Sequence, residues 1–138
     1  MEFEIFFEDN KKVNARYKDR IIKTDQPVED GGNNSAPAPF DLFLASIGTC
    51  TGIYVKSFCD SRNIPTDKIK IVQSMHYNKD IRLIDKISIN IKLPSDFPEK
   101  YKTALLNSAN LCTVKKHLQN PPEVEVTAML ENLNSQKI

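Results

Sequence analysis

Two cysteines occupy positions from which thiol chemistry is possible. Cys50 lies in the middle of an uncharged, predominantly apolar run from Leu42 to Val55, and Cys112 stands far downstream at the end of another helical pattern. A buried cysteine is ordinarily an inert small hydrophobe, so chemistry depends on what surrounds Cys50 and on whether Cys112 can reach it. Cys59 follows Cys50 by nine residues, half a helical turn around, so the two face opposite ways and Cys59 reads as packing. His117 follows Cys112 by five residues, but with only His76 elsewhere and no C-x-x-C pair a zinc site is not expected. Gly31-Gly32 reads as a turn, because no G-x-G-x-x-G or G-K-[ST] accompanies it, and the absence of G-x-S-x-G leaves a serine hydrolase unsupported.

The elements that would carry these thiols are legible from periodicity. Phe3, Ile5 and Phe7 alternate with acidic residues, Asp9-Asn10 supplies a turn, and Val13 to Tyr17 and Arg20 to Lys23 complete a three-stranded meander. Thr24 to Ala38 is rich in Pro, Gly, Asn and acidic residues and is expected to be a loop that does not pack. Pro39 and Asp41 suit the first turn of a helix that continues to about Arg62, closed by Asn63-Ile64-Pro65. Phe40, Phe43, Ile47, Cys50, Tyr54 and Phe58 share one stripe of that helix, while Ala45, Gly48, Thr49 and Gly52 form a small-residue side fit for another helix. A helix so nearly enclosed in so short a chain points to a second subunit. The aromatic stripe is ordinarily core; Phe40 and Phe43, which precede Cys50 on it, are the candidates for a substrate pocket.

Ile69 to Tyr77 and Ile87 to Leu93 alternate with polar residues around an Asn78-Lys79-Asp80 turn, giving a hairpin with one wet face. A second helix is expected from Ser95-Asp96 to Cys112, a further short helix over Val114 to Gln119, and a last strand through Val124, Val126, Ala128 and Leu130. The order βββ-α-ββ-α-α-β is α+β, without the strict alternation of a doubly wound sheet.

A chain of 138 residues fits one domain spanning residues 1–138. A formal net charge of +1, with no Lys/Arg block longer than two, offers nucleic acid no footprint. The acidic start MEFEIFFED does not suit a signal peptide, and Leu42 to Val55 falls short of the about 20 apolar residues of a membrane span, so a cytoplasmic protein without membrane contact is expected. Three cysteines in a reducing compartment do not make a structural disulfide framework.

The stretch APAPFDLFLASIGTC, Ala36 to Cys50, resembles the helix signature of the OsmC/Ohr family, and Leu111-Cys112-Thr113-Val114 resembles that family's second cysteine motif. The motifs stand in the right order and the predicted elements agree, so the resemblance covers essentially the whole chain. It implies an OsmC-like intertwined homodimer, two central helices wrapped by sheets containing strands from both chains, with active sites at the interface. It also implies a thiol peroxidase for organic hydroperoxides or hydrogen peroxide, with Cys50 peroxidatic, Cys112 resolving, an external dithiol as reductant and no bound cofactor or metal. In that family an Arg near the early strands is held by a Glu directly after the proline; here that position is Phe40, and the acidic Asp41 comes one later. Only about 3% of an ordinary thiol is thiolate at neutral pH, so a cation is needed. Lys11, Lys12, Arg16 and Arg20 are available, and Arg16 is preferred because a guanidinium fork can hold a carboxylate such as Asp41 while facing the sulfur. Two alternatives share the scaffold: a binding protein for a small apolar ligand beside Phe40, Phe43 and Cys50, and a thiol redox sensor.

Overall fold

Alternating apolar and acidic residues produce the expected opening. The structure, a computed structural model that describes residues 1–132, begins with an antiparallel meander of β1 (Glu4–Phe7), β2 (Val13–Tyr17) and β3 (Arg20–Ile22). Asn10 and Lys18 take left-handed conformations at the two turns, with φ of 56° and 54°. Little in the chain covers this sheet: Ile5, Phe7 and Ile21 remain exposed.

The segment from Thr24 to Ala38 does pack, contrary to the expectation from its composition. Asp25 is fully buried, and its carboxylate accepts the N–H groups of Gln26 (2.8 Å), Asn33 (3.3 Å) and Ser35 (3.0 Å) and the Ser35 hydroxyl (2.5 Å). The bonds from the Ser35 hydroxyl and N–H, the largest causes, hold the Asp25 carboxyl down at about 2. Gly32 is required here, since a Cβ at that position would fall 2.0 Å from the Gln26 carbonyl oxygen. A polar loop can thus organise around one internal acceptor instead of an apolar core.

That loop delivers the chain to α1 (Pro39–Asp60), where Asp41 accepts the Ala38 N–H at 3.1 Å and closes the first turn. One stripe of α1 is buried: Ile47, Thr51, Val55, Phe58 and Cys59. The opposite side is open, with Ile53 57% exposed, and Phe43 near the helix start is 41% exposed, so the helix is not enclosed all round by its own chain. Gly48 and Gly52 face Gln73 and Ile71 of the hairpin, and the small-residue side is therefore met at those positions by a strand and not by a helix. By length and composition α1 is apolar enough to cross a membrane, yet its Val55, Phe58 and Cys59 lie in the core.

The hairpin is β4 (Lys70–Asn78) and β5 (Leu83–Lys92), with the Asn78 side chain accepting the Asp80 and Ile81 N–H groups at its turn. The second helix starts later than expected. A 3₁₀ turn over Glu99–Tyr101 leads into α2 (Lys102–Ala109), because Pro98 disfavours helical geometry at the residue before it. Leu105 and Ala109 join Val55, Phe58 and Cys59 in the core, flanked by Ile71 and Ile91, and the Arg62 guanidinium covers Phe58 at 3.7 Å. Cys112 does not end α2; it stands at the start of α3 (Thr113–Gln119). The last predicted strand is also corrected: residues 121–132 form no element, and Val124, Val126 and Leu130 are exposed. An alternating segment becomes a strand only when an edge pairs with it, and no strand pairing among the described residues includes this one.

Candidate active site

α1 and α3 bring Cys50 and Cys112 together. Cys50, half-buried near the middle of α1, donates its thiol toward the sulfur of Cys112, which has no exposed surface. The position of Cys112 follows from local structure. As the residue preceding α3 it lies within reach of the N–H groups of Val114 and Lys115, which no carbonyl of the helix can satisfy. From α1, Thr51 adds a hydroxyl shared between the Cys112 sulfur and the Ile47 carbonyl, at 3.1 Å from the latter. Next to this contact the Tyr54 hydroxyl meets the Thr113 hydroxyl at 3.1 Å and ties the two helices at the start of α3.

Electrostatics separate the thiols. Burial, the largest influence on Cys112, pushes its thiol up, but the bonds from Cys50, from the Lys115 and Val114 N–H groups and from Thr51 outweigh it and hold the thiol below its ordinary value. Cys59 goes the other way, pushed up by burial and then by the Asp60 carboxylate, as suits a core thiol. The pair at 50 and 112 can therefore share one proton, keep a thiolate in a buried place, and form a disulfide after oxidation.

The remaining sequence candidates lie elsewhere. Arg16, on β2, bonds Glu4 at 3.2 Å and covers the Phe6 ring at 4.6 Å, so the expected fork on Asp41 is not formed. Asp41 serves its own helix N-terminus through Ala38. The register of the meander explains the exchange, because it sets Glu4 directly across from Arg16. Lys12 pairs with Asp9 at 3.3 Å. Phe40 and Phe43 stack on each other at 5.6 Å and are exposed; Phe43 lies two helical turns, roughly 10 Å, from Cys50. Phe40 lines an open depression with Pro27 and Asn34. A cavity of about 310 Å³ instead lies against Ile47 and Thr51, lined also by Ile89, Leu106 and Lys115 among others, and neither Cys50 nor Cys112 is in its lining. The sequence places Tyr54 on the Cys50 stripe but gives Thr51 no role. Thr51 had one available signal, its i+4 spacing from Ile47 on the buried stripe. Among the described residues no three ligating side chains converge on a metal position, and His117 bonds the Thr113 carbonyl at 2.8 Å.

Comparison with known proteins places the fold. The OsmC-like protein family profile matches residues 32–127. A Psychrobacter arcticus protein named for osmotic stress induction and detoxification response is similar in structure, with TM-score 0.67 and 21% identity over 83% of this chain and 85% of that one. An OsmC-like protein of Mycoplasma pneumoniae gives TM-score 0.63 and 13% identity over 87% of each chain. The organic hydroperoxide resistance protein OsmC of Legionella pneumophila gives 0.50 and 15%, covering 86% of this chain and 88% of that one. No curated protein sequence matches. At these identities the structural likeness speaks for the fold.

Proposed function

The chain belongs to the OsmC-like protein family, and from that premise we propose that it is a cysteine-based peroxidase in which Cys50 attacks a hydroperoxide and Cys112 resolves the product. Structural neighbours named for organic hydroperoxide resistance support a peroxide-related redox role. The observation that carries the finer reading is the contact between a half-buried and a fully buried thiol on separate helices. In the first step the proton the pair shares passes to Cys112, the Cys50 thiolate takes the distal oxygen of ROOH, the O–O bond breaks, and RO⁻ takes up that proton as ROH. Cys50 is left as a sulfenic acid; Cys112 as thiolate then attacks its sulfur, hydroxide leaves, and a disulfide forms before further oxidation. An external dithiol restores both thiols.

The assay is alkyl hydroperoxide consumption with a dithiol reductant, wild type against Cys50→Ser, with mass spectrometry of the oxidised protein. Loss of turnover in the variant and a Cys50–Cys112 disulfide in wild type are expected; equal multi-turnover rates in both would overturn the reading. The cavity beside Thr51 favours a second reading, capture of a small apolar ligand, for which native mass spectrometry of purified protein would show a bound molecule and peroxide consumption would be absent.

The reading extends to a cytoplasmic homodimer. Uncovered apolar surface on the meander, on α1 at Phe43 and Ile53, and along residues 121–132 supports a second copy of the chain laid against all three. In this arrangement Arg16 acts on a thiolate only across the interface, Asp41 keeps the helix start, and Phe40 and Phe43 wall the substrate from the interface side. Light scattering should give twice the chain mass; a monomer at micromolar concentration would count against it.

A further inference from the structure

Asn14 places a primary amide on β2 where almost no surface remains, at 2% exposure. Its Oδ1 accepts the Thr24 N–H at 3.1 Å. Its Nδ2 has no acceptor, and among the described residues it is the one buried side-chain nitrogen or oxygen left without a partner. Turning the amide over gives no relief, because that would set two donors, Nδ2 and the Thr24 N–H, against each other. A buried donor left unpaired costs free energy that an acceptor in an adjoining space recovers. Such a space exists: Asn14 lines a cavity of about 190 Å³ together with Glu8, Lys12, Lys23, Thr24 and Ser35. Its walls are held in place, since the Thr24 hydroxyl bonds the Val13 carbonyl and Ser35 is bound through its N–H and hydroxyl to the Asp25 carboxylate. It shares no residue with the cavity beside Thr51.

We propose that this cavity binds a small monocarboxylate, with the Asn14 Nδ2 donating to a carboxylate oxygen and Lys12 and Lys23 supplying the charge. The unpartnered amide calls for an acceptor, and the two ammonium groups call for a negative one. Lys23 forms no ion pair among the described residues, and Lys12 meets Asp9 only at 3.3 Å. Glu8 stands against them, so the lining carries two positive charges and one negative. A monoanion completes that balance, whereas a dianion such as sulfate exceeds it. Asp25 makes no further demand, because four donors of its own loop already satisfy its carboxylate. The room equals about six waters at roughly 30 Å³ each, which suits an acid of about two to four carbons and excludes a fatty acid. Ala36, on the approach to α1, also lines the cavity, so a bound acid ties β2 to the segment that leads into the helix carrying Cys50. The site does not depend on the thiol chemistry.

The test titrates isotope-labelled protein with sodium acetate and sodium propionate, with sodium chloride and sodium sulfate at equal ionic strength as controls, and follows the Asn14 side-chain amide by NMR. Both acids should shift that amide saturably, and neither control should. In calorimetry Asn14→Asp, which keeps an oxygen for Thr24 and replaces the donor by a second oxygen, should weaken acetate binding at least about tenfold, the size of one lost hydrogen bond to a charged group. Should that variant fail to fold, Lys23→Gln, at an exposed position, carries the same test with an expected loss of about threefold. Acetate bound by Lys23→Gln as tightly as by wild type would overturn the part given to Lys23. An Asn14 amide unmoved by either acid would mean that water alone fills the cavity, and an equal shift with sulfate would make it a site for any anion; each overturns the proposal. So does an amide that moves with protein concentration and not with the acids, since its acceptor then belongs to a second copy of the chain. Loss of the peroxidase reading leaves all of these outcomes as they stand.

Discussion

Two glycines flank Cys50 by two residues on either side, and alanine at each should have different consequences. At Gly52 a Cβ would meet only the Ile71 Cδ1, at 3.9 Å, which is ordinary contact. Alanine there recovers the helix propensity that glycine lacks, about 0.8–1 kcal/mol, at no steric cost. For a chain of this size that is an increase of about 3 °C in Tm. At Gly48 the Cβ would fall 2.5 Å from the Gln73 Oε1, so the amide must swing away. That movement breaks the bond from Gln73 Nε2 to the Leu44 carbonyl, 2.9 Å long, at a net loss of about 1 kcal/mol. Gain and loss then nearly cancel, and Gly48→Ala should melt within about a degree of wild type. The assay is thermal unfolding followed by circular dichroism at equal chain concentration. A Gly52→Ala protein that melts below wild type would refute the reasoning, because it would mean that something other than Ile71 lies against that position.

Three further outcomes follow from single contacts. Leu105→Ala, at a fully buried core position, should cost about 3 kcal/mol in urea unfolding; a loss under about 1 kcal/mol would show that the core collapses around the gap. Asp25 has a folded value of about 2, below its ordinary 3.8, so its contribution is fully present above pH 4 and is lost as pH falls toward 2. Hydrogen exchange at the Asn33 and Ser35 amides should accelerate over that window in wild type, and in Asp25→Asn the same amides should already exchange fast at pH 6. In native protein at pH 8, iodoacetamide should label Cys50 well before Cys59, whose thiol is buried and pushed up; labelling of Cys59 at the same rate would contradict its place in the core.

Local order was largely legible in the chain. The meander, the long helix from Pro39, the hairpin around Asn78 and the packing role of Cys59 follow from residue period and turn chemistry, which act over a few neighbours. The segments misread are those whose state depends on a distant or absent partner. Thr24 to Ala38 orders around Asp25, and residues 121–132 alternate as a strand would yet take part in no strand pairing among the described residues.

By itself the sequence determined the α+β element order and the two cysteine motifs, because periodicity and local spacing are properties of a strand or helix taken alone. The tertiary structure decided the site. Cys50 and Cys112 are 62 positions apart, and only the path of the chain through β4, β5 and α2 sets one against the other. It also decided that Cys112 is the buried sulfur, and that Arg16 answers to Glu4 and Asp41 to Ala38. Hydrogen bonds and burial act over a few ångströms of space, and sequence spacing measures distance only within a single element.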